Sequence, residues 1–200
     1  MNLKTPLIVL ASASPRRKEI LERHGIHPII FPSDVEETIP EEVEKEGFAA
    51  VVEFLSRIKA RAIQKFLKEH PDALPPAERV ILLGADTVVV KDRIIGKPRD
   101  EADAFAILSD LRNSEHHVLT GVCLIDLSSG EETVFSCDTK VIFKDYPDEE
   151  IRRFIREEPP FDKSGSYAIQ SSWSKNIAEV DGDIENVMGL PFVAIAPYLK

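Results

Sequence analysis

The sequence predicts an α/β protein built on a mixed β-sheet, and three observations support this fold class. Patterns typical of strands and of helices alternate along the chain. The run from Ile81 to Val90 is apolar on both faces, which predicts a buried strand. The stretch from His117 to Phe143 contains two long strand patterns joined near Ser129 and Gly130, and such a hairpin interrupts the parallel order.

The elements follow from local signals. LIVLAS predicts a short buried strand, and Ser14 then acts as the N-cap of a helix whose first residue is Pro15. This helix runs to His24, and Gly25 closes it. The remaining predicted elements, in chain order, are an extended segment HPIIFPSDV, a helix over 41–69, a loop HPDALPPAE, a central strand RVILLGADTVVV, a turn KDR, a helix over 101–111, the hairpin, a helix over 147–156 and a closing segment over 191–199.

The predicted long helix carries a lysine inside its apolar stripe. The stripe consists of Phe48, Val52, Leu55, Lys59, Ala62 and Phe66. The stem of Lys59 can pack in the stripe while its ammonium reaches water. Alternatively, the ammonium meets an anion inside a cleft, and the pattern leaves both interpretations open.

Composition predicts one globular domain over residues 1–200, with a charged fraction of 30% and an apolar fraction of 43%. The net charge of −10 argues against general binding to nucleic acid. Membrane insertion is not expected, since no apolar run approaches the roughly 20 residues that span a bilayer. The N-terminal apolar segment is too short for a signal peptide, so we expect a cytoplasmic protein.

The cysteine and histidine residues predict no zinc site. Cys123 and Cys137 flank the turn LSSGEE and could face each other across the hairpin, but reduced thiols are expected in the cytoplasm. His116 and His117 are adjacent, and adjacent strand residues point to opposite faces of a sheet. We therefore predict a structural role for both histidines.

One carboxylate, Asp86, lies at the midpoint of the apolar strand. A buried ionised carboxylate must be paired, hydrogen-bonded or bound to a metal. A structural salt bridge would satisfy this need. Because Asp86 stands beside Gly84 and Thr87, it could instead face a cleft, and we favour this functional interpretation.

Several cations lie where they could bind phosphate. Arg16 and Arg17 fall in the first turn of a helix, where the dipole disfavours cations and favours a bound anion, unless both simply point to solvent. The segments IIGKPRD and FDKSGSYAIQ place Lys97 and Lys163 near glycines, where amides and an ammonium can converge on phosphate oxygens. Neither segment is a Walker loop. Together with Lys59, these cations suit a polyphosphate ester.

Seven motifs occur in order from Leu10 to Pro191: LASASPRR, DVEET, SRIKARA, LGADTVVV, GKPRD, DKSGSYAIQ and ENVMGLP. In this order they resemble the motifs of the Maf family of nucleoside triphosphate pyrophosphatases. The resemblance implies a single elongated α/β domain, related in architecture to inosine triphosphatase, with two lobes around a deep cleft, and it suggests a homodimer. It also implies hydrolysis of a nucleoside triphosphate between the α- and β-phosphates, with a divalent metal cation.

The resemblance also assigns roles to residues. It makes Asp86 the proton acceptor and ties Arg16, Thr87 and Gln170 to substrate choice. The forms GADT and AIQ resemble the branch of the family that acts on dTTP and UTP rather than on 7-methyl-GTP. The other substrate-binding residues expected within these motifs are Ser14, Arg17, Lys59, Lys97, Asp162 and Lys163.

The same chemistry can be argued from the side chains. Phosphoanhydride hydrolysis needs cations that neutralise the charge of the polyphosphate, and it needs a positioned water. Asp86 would deprotonate that water. Thr87 and Gln170 can hydrogen-bond a base edge. Oxygen ligands for Mg²⁺ or Mn²⁺ are offered by Glu36, Glu37 and Asp86. The two glutamates fit a solvated acidic turn equally well.

Two other functions stay open at this point. The family was named for inhibition of septum formation, and an acidic surface also suits a protein partner in cell division. An enzyme resembling inosine triphosphatase would instead remove altered purine nucleotides. Phosphate release from a panel of triphosphates, measured with added pyrophosphatase, separates these possibilities.

Overall fold

The computed structural model describes residues 6–200, and it confirms the predicted α/β class. The strands are β1 (Leu7–Leu10), β2 (Ile29–Ile30), β3 (Val80–Val90), β4 (Ile94–Ile95), β5 (Glu115–Asp126), β6 (Glu132–Phe143) and β7 (Ala178–Asp181). The α-helices are α1 (Pro15–Arg23), α2 (Glu41–Glu46), α3 (Phe48–Glu69), α4 (Glu101–Leu111), α5 (Asp148–Glu157), α6 (Ser172–Ile177), α7 (Ile184–Met188) and α8 (Phe192–Ile195). Short 3₁₀ turns lie at Pro71–Ala73, Ser164–Ser166 and Ala196–Leu199.

The sheet is mixed, as predicted. Its strand order is β2-β1-β3-β5-β6-β7, and β4 pairs with β3. β1 is parallel to both β2 and β3, because helical connections return the chain in the same direction. β4 is antiparallel to β3, and β7 is antiparallel to β6. The prediction of a buried strand is confirmed, because all residues of β3 except Val80 and Thr87 are buried.

Packing divides the chain into two compact units. The first comprises Met1–Asp86, Thr120–Cys137 and Gly189–Lys200, and the second comprises Thr87–Leu119 and Asp138–Met188. In the first unit, α3 packs Ala60, Ile63 and Leu67 against apolar strand residues such as Val9 and Leu82. The single domain over residues 1–200 and the cleft between two lobes stay predictions.

The core of the second unit is aromatic. Trp173, the single tryptophan of the chain, is 6% exposed and stacks on Phe154 with ring centroids 4.4 Å apart. Tyr146 meets the same indole ring at 5.1 Å. The ring of Phe143, the last residue of β6, lies 4.8 Å from that of Tyr167. These rings bury large apolar areas in a small volume, which stabilises the unit.

The predicted helix over 41–69 is wrong in one respect. Gly47 adopts φ = +103°, which an α-helix cannot contain, and the chain therefore forms α2 and α3 separately. The predicted apolar stripe is also wrong at its ends, since Phe48 and Phe66 are each 38% exposed. The residues of α3 that are buried are Val51, Val52, Leu55, Ser56, Ala60, Ile63 and Leu67.

The first helix confirms the prediction in part. Ser14 has the extended backbone of an N-cap and Pro15 begins α1, but the Ser14 side chain accepts no hydrogen bond from the helix. The helix ends at Arg23, and Gly25 has φ = +77°, as expected of a glycine that closes a helix. Only Ile29–Ile30 of the predicted extended segment forms a strand.

Neither Cys123 nor Cys137 forms a disulfide with a residue that the structure describes, as expected of reduced thiols, and burial raises the pKa of Cys123 to about 12. The adjacent histidines have different surroundings, and their structural role stays a prediction. His116 is fully buried and lies 2.8 Å from the Tyr167 hydroxyl, whereas the exposed His117 pairs with Asp138 at 2.9 Å. Across residues 6–200, no helix has the length and apolar character needed to cross a bilayer.

Candidate active site

Two glycines allow α3 to lie directly on the strands of the first unit. A Cβ atom at Gly84 would stand 2.4 Å from the carbonyl oxygen of Ser56 and 2.9 Å from the Cβ of Ala60. A Cβ atom at Gly121 would stand 2.1 Å from the carbonyl oxygen of Val52. All three distances are shorter than ordinary van der Waals contacts, so only glycine permits this approach. The approach brings α3 close to β3 two residues before Asp86.

Lys59 lies between two carboxylates. Its Nζ contacts Oδ1 of Asp86 and lies 2.8 Å from Oε1 of Glu37. The side chains of Lys59 and Asp86 are only 13% and 12% exposed, whereas that of Glu37 is 51% exposed. The interpretation in which the Lys59 ammonium reaches water is therefore wrong, since the ammonium ends on protein carboxylates.

The same contact shows how Asp86 is accommodated inside the strand. The carboxylate is buried, as predicted, and the ammonium of Lys59 compensates its charge. The structural salt bridge considered for Asp86 is thus present. A paired carboxylate can still accept a proton, so its role as proton acceptor stays a prediction.

Arg17 forms hydrogen bonds with a residue just before α1 and with a residue near the end of the chain, both in the first unit. Its Nε donates to the carbonyl oxygen of Gly189 at 2.8 Å, and its Nη1 donates to the hydroxyl of Ser12 at 2.9 Å. Burial lowers the pKa of the Arg17 guanidinium, and the nearby negative charge of Asp86 opposes that shift. Arg17 therefore anchors the start of α1, and its predicted contact with substrate stays a prediction.

Ser12 and Gly189 were missed as site-supporting residues. Both fall inside the quoted motifs LASASPRR and ENVMGLP, but the contact between Arg17 and Gly189 joins residues 172 positions apart. Sequence spacing carries no signal for such a contact. Arg16 is half-buried in the same turn, and its charge contributes to lowering the pKa of Arg17.

The three carboxylates predicted to hold a metal are not assembled as one cluster. Glu37 and Asp86 share the Lys59 ammonium, whereas exposed Glu36 accepts a hydrogen bond from the Thr38 hydroxyl at 3.1 Å. Among residues 6–200, no three acidic, cysteine or histidine side chains form a group that could hold a metal. Two carboxylates that share one cation still fit Mg²⁺ or Mn²⁺, because these ions commonly take one or two carboxylates and complete their shell with phosphate oxygens.

In the second unit, the two segments that carry Lys97 and Lys163 are joined. The amide of Gly165 donates to the carbonyl oxygen of Gly96 at 3.1 Å. Gly165 has φ = +72°, and a Cβ atom there would stand 2.8 Å from Cγ2 of Val89. Glycine is therefore required by both conformation and space. Lys97 is exposed, and the ammonium of Lys163 bonds to its neighbour Asp162 at 2.5 Å.

Thr87 and Gln170, the residues expected to choose the base, also lie in the second unit. Thr87 is half-buried on β3, directly after Asp86. The Oε1 atom of Gln170 is buried and accepts no hydrogen bond from any residue that the structure describes. An unsatisfied buried acceptor is costly unless a ligand or water supplies a donor.

The comparisons with known proteins agree with the motifs. The family model described as Maf-like protein matches residues 7–200. A dTTP/UTP pyrophosphatase of Alkaliphilus metalliredigens is 40% identical over 192 residues, covering 96% of this chain and 94% of the relative. A dTTP/UTP pyrophosphatase of Geobacter sp. (strain M21) is 39% identical over 200 residues, covering 99% of this chain and 96% of the relative. The chain belongs to the Maf family, which confirms the resemblance.

Among solved structures, the nucleoside-triphosphatase / dITP/XTP pyrophosphatase of Mycobacterium abscessus covers 96% of this chain and 94% of its own. Its TM-score is 0.43 and its sequence identity 18%. The expected architectural relation to inosine triphosphatase stays a prediction.

Proposed function

We propose that this chain is a nucleoside triphosphate pyrophosphatase that hydrolyses dTTP and UTP to the monophosphate and pyrophosphate. The curated relatives that share about 40% identity over nearly the whole chain are named dTTP/UTP pyrophosphatases. The observation in the molecule that carries the proposal is the buried carboxylate of Asp86 held by Lys59. Asp86 would act as the proton acceptor for an attacking water, and the neighbouring Lys59 ammonium would oppose charge on a phosphate.

The cations would act on the polyphosphate. In the first unit, Lys59 and Arg16 would oppose the negative charge that phosphoanhydride hydrolysis develops. In the second unit, Lys97 and Lys163 would bind phosphate oxygens. Lys163 must then exchange its partner Asp162 for a phosphate, an exchange that involves one exposed carboxylate.

The buried acceptor of Gln170 supports the choice of base. Thymine and uracil present an N–H between two carbonyl groups, and cytosine presents an acceptor at the same ring position. The Oε1 of Gln170 can accept from that N–H while its NH₂ group donates to a carbonyl. In the amide orientation that the structure shows, thymine and uracil would satisfy the buried Oε1, whereas cytosine would require the amide group to turn over.

A divalent cation belongs to this proposal, with Glu37 and Asp86 as the residues that would hold it. Mg²⁺ or Mn²⁺, when bound, would neutralise charge on the transferring phosphoryl group. The exposed Glu36, which is adjacent to Glu37 in the chain, would contact only water molecules in the outer coordination shell of the cation. A cytoplasmic location and a homodimer are proposed with the same activity.

A triphosphate panel tests the function. The purified protein is incubated with Mg²⁺ and dTTP, UTP, dCTP, dITP or 7-methyl-GTP, with and without added inorganic pyrophosphatase. We expect phosphate only when pyrophosphatase is present, with dTTP and UTP preferred by about tenfold or more. Phosphate release without pyrophosphatase would show cleavage at another bond, and preference for dITP would show a purine-directed enzyme. Either result would overturn the proposal.

A further inference from the structure

We propose that Lys59 is an internal counter-ion that competes with the divalent cation for Glu37 and Asp86. In the protein without nucleotide, the ammonium neutralises both carboxylates and opposes loading of the metal alone. A nucleoside triphosphate would then attract the ammonium away from the carboxylates, and the metal would bind together with it. This inference rests on the proposed function, because that function supplies the polyphosphate.

The competition follows from the geometry of one nitrogen and two oxygens. Nζ of Lys59 contacts Oδ1 of Asp86 and Oε1 of Glu37, so one cation already bridges the two acidic side chains. Two carboxylates this close would repel each other if the ammonium were absent. A metal that binds both must therefore displace the ammonium or share the carboxylates with it, at a considerable electrostatic cost.

Retreat of the helix that carries Lys59 would break its close packing on β3, so the helix is expected to stay in place. α3 packs closely on Gly84 at Ser56, three residues before Lys59, and at Ala60, directly after it. The ammonium can therefore leave only by rotation of the flexible lysine stem. It needs a new anionic partner when it leaves, because its side chain is only 13% exposed.

A metal–triphosphate complex supplies both a cation for the two carboxylates and new anionic partners for the Lys59 ammonium, whereas a free metal ion supplies only the cation. The phosphates offer the ammonium new oxygen partners, and the metal replaces the ammonium between the carboxylates. Metal and nucleotide should then bind with positive coupling, since each removes an obstacle to the other. The arrangement keeps the free cation from occupying the site alone.

The test measures binding of Mn²⁺ alone by isothermal titration calorimetry. Lys59→Met removes the charge and keeps the stem, and we expect the affinity for Mn²⁺ to rise by about tenfold or more. Lys59→Arg keeps the cation and should bind Mn²⁺ as weakly as the unchanged protein. The control is Lys91→Met, because Lys91 pairs with a different carboxylate, that of Asp110, at 3.2 Å, and this variant should leave the affinity for Mn²⁺ unchanged. An unchanged or weaker affinity in Lys59→Met would overturn the proposal.

A second measurement uses the unchanged protein and does not depend on the folding of a variant. Nitrogen-15 NMR of the lysine side chains follows the Lys59 ammonium, assigned with Lys59→Arg. Millimolar Mg²⁺ alone should leave its signal in place, and Mg²⁺ with a non-hydrolysable dTTP analogue should shift it. A shift with Mg²⁺ alone would contradict the competition.

The inference and the proposed function fail in different ways. If the unchanged protein hydrolyses dTTP but Lys59→Met binds Mn²⁺ no better, the counter-ion inference fails and the function stands. If Mn²⁺ binds Lys59→Met more tightly but none of the triphosphates is hydrolysed, the function fails and the competition for Glu37 and Asp86 stands.

Discussion

The ammonium of Lys59 on α3 contacts the carboxylate of Asp86 on β3, across 27 residues of sequence. Both side chains are almost completely buried, at 13% and 12% exposure. A pair of this kind differs from an exposed ion pair, because removal of one partner leaves an uncompensated charge away from water. Variants of either residue therefore need a readout of folding beside a readout of activity.

Asp86→Asn should abolish hydrolysis, and far-ultraviolet circular dichroism should show that the variant keeps its fold. The amide keeps the volume of the side chain but cannot accept the proton of the attacking water, so kcat should fall on the order of 10²-fold or more. Steady-state assays with dTTP measure the loss, and calorimetry with a non-hydrolysable analogue should still detect binding. Asp110→Asn, at an exposed ion pair with Lys91, should stay within a few-fold of the unchanged enzyme. Comparable activity in the two variants would show that Asp86 is not the proton acceptor of the reaction.

Gly84→Ala should destabilise the protein. The added methyl would stand 2.4 Å from the Ser56 carbonyl oxygen, so α3 must move away from β3. Overpacking of this kind lowers the free energy of unfolding by about 1–3 kcal/mol, measured by denaturant titration. Gly96→Ala is the matched control, since nothing lies within 4 Å of its added methyl. Equal stability of the two variants would show that α3 does not depend on the glycine.

Arg16→Ala and Arg17→Ala should separate the two arginines of α1. Loss of Arg17 leaves the Gly189 carbonyl and the Ser12 hydroxyl without its two hydrogen bonds, which should lower the free energy of unfolding by about 1–3 kcal/mol. Loss of Arg16 should leave Tm unchanged or slightly raised, because a cation at a helix N-terminus opposes the dipole. Its effect should appear as a smaller thermal shift with a dTTP analogue and a lower kcat/KM. Melting curves with and without the analogue decide, and a lower Tm of Arg16→Ala without ligand would contradict this assignment.

Stability should fall between pH 6.5 and pH 4 because of His116. Burial lowers the pKa of His116 from 6.5 to about 4, and the charges of His117 and Lys91 act in the same direction. Above pH 6.5 the ring is neutral in both the folded and the unfolded chain, so it adds no pH dependence. As the pH falls below 6.5, only the unfolded chain takes up the proton, and the free energy of unfolding should drop by about 3 kcal/mol by pH 4.

His116→Gln removes the titrating ring and should flatten this part of the pH profile, even though its stability at neutral pH is lower. His117→Gln provides the control at the exposed neighbour, and it should keep the decline. Denaturant unfolding at half-unit steps of pH measures both profiles. A decline that persists unchanged in His116→Gln would exclude His116 as its source.

Much of the fold could be predicted because its signals are local. The helix over 101–111 has the predicted bounds, with Asp100 accepting a hydrogen bond from the Asp103 amide as its cap. The hairpin was placed by its turn residues, and the central strand by its apolar run. The break at Gly47 was missed because an isolated glycine within a helical pattern gives no sign of its φ angle.

The candidate site could be predicted as a set of residue types but not as a set of partners. Asp86 and Lys59 were each selected as a charge in an apolar pattern, yet nothing in either pattern shows that they meet. Their contact depends on the approach of α3 at Gly84, which is a tertiary contact. The buried stripe of α3 was misjudged for the same reason, because contact with β3 selects the buried face and periodicity only suggests it.

The stack of Trp173 on Phe154 gives the molecule a built-in optical reporter. As the single indole, Trp173 is the source of all tryptophan fluorescence, and its emission senses only the aromatic core of the second unit. Circular dichroism at far-ultraviolet wavelengths senses every helix and strand. Heating followed by both signals therefore shows, without any label, whether the molecule melts as one cooperative body or in stages.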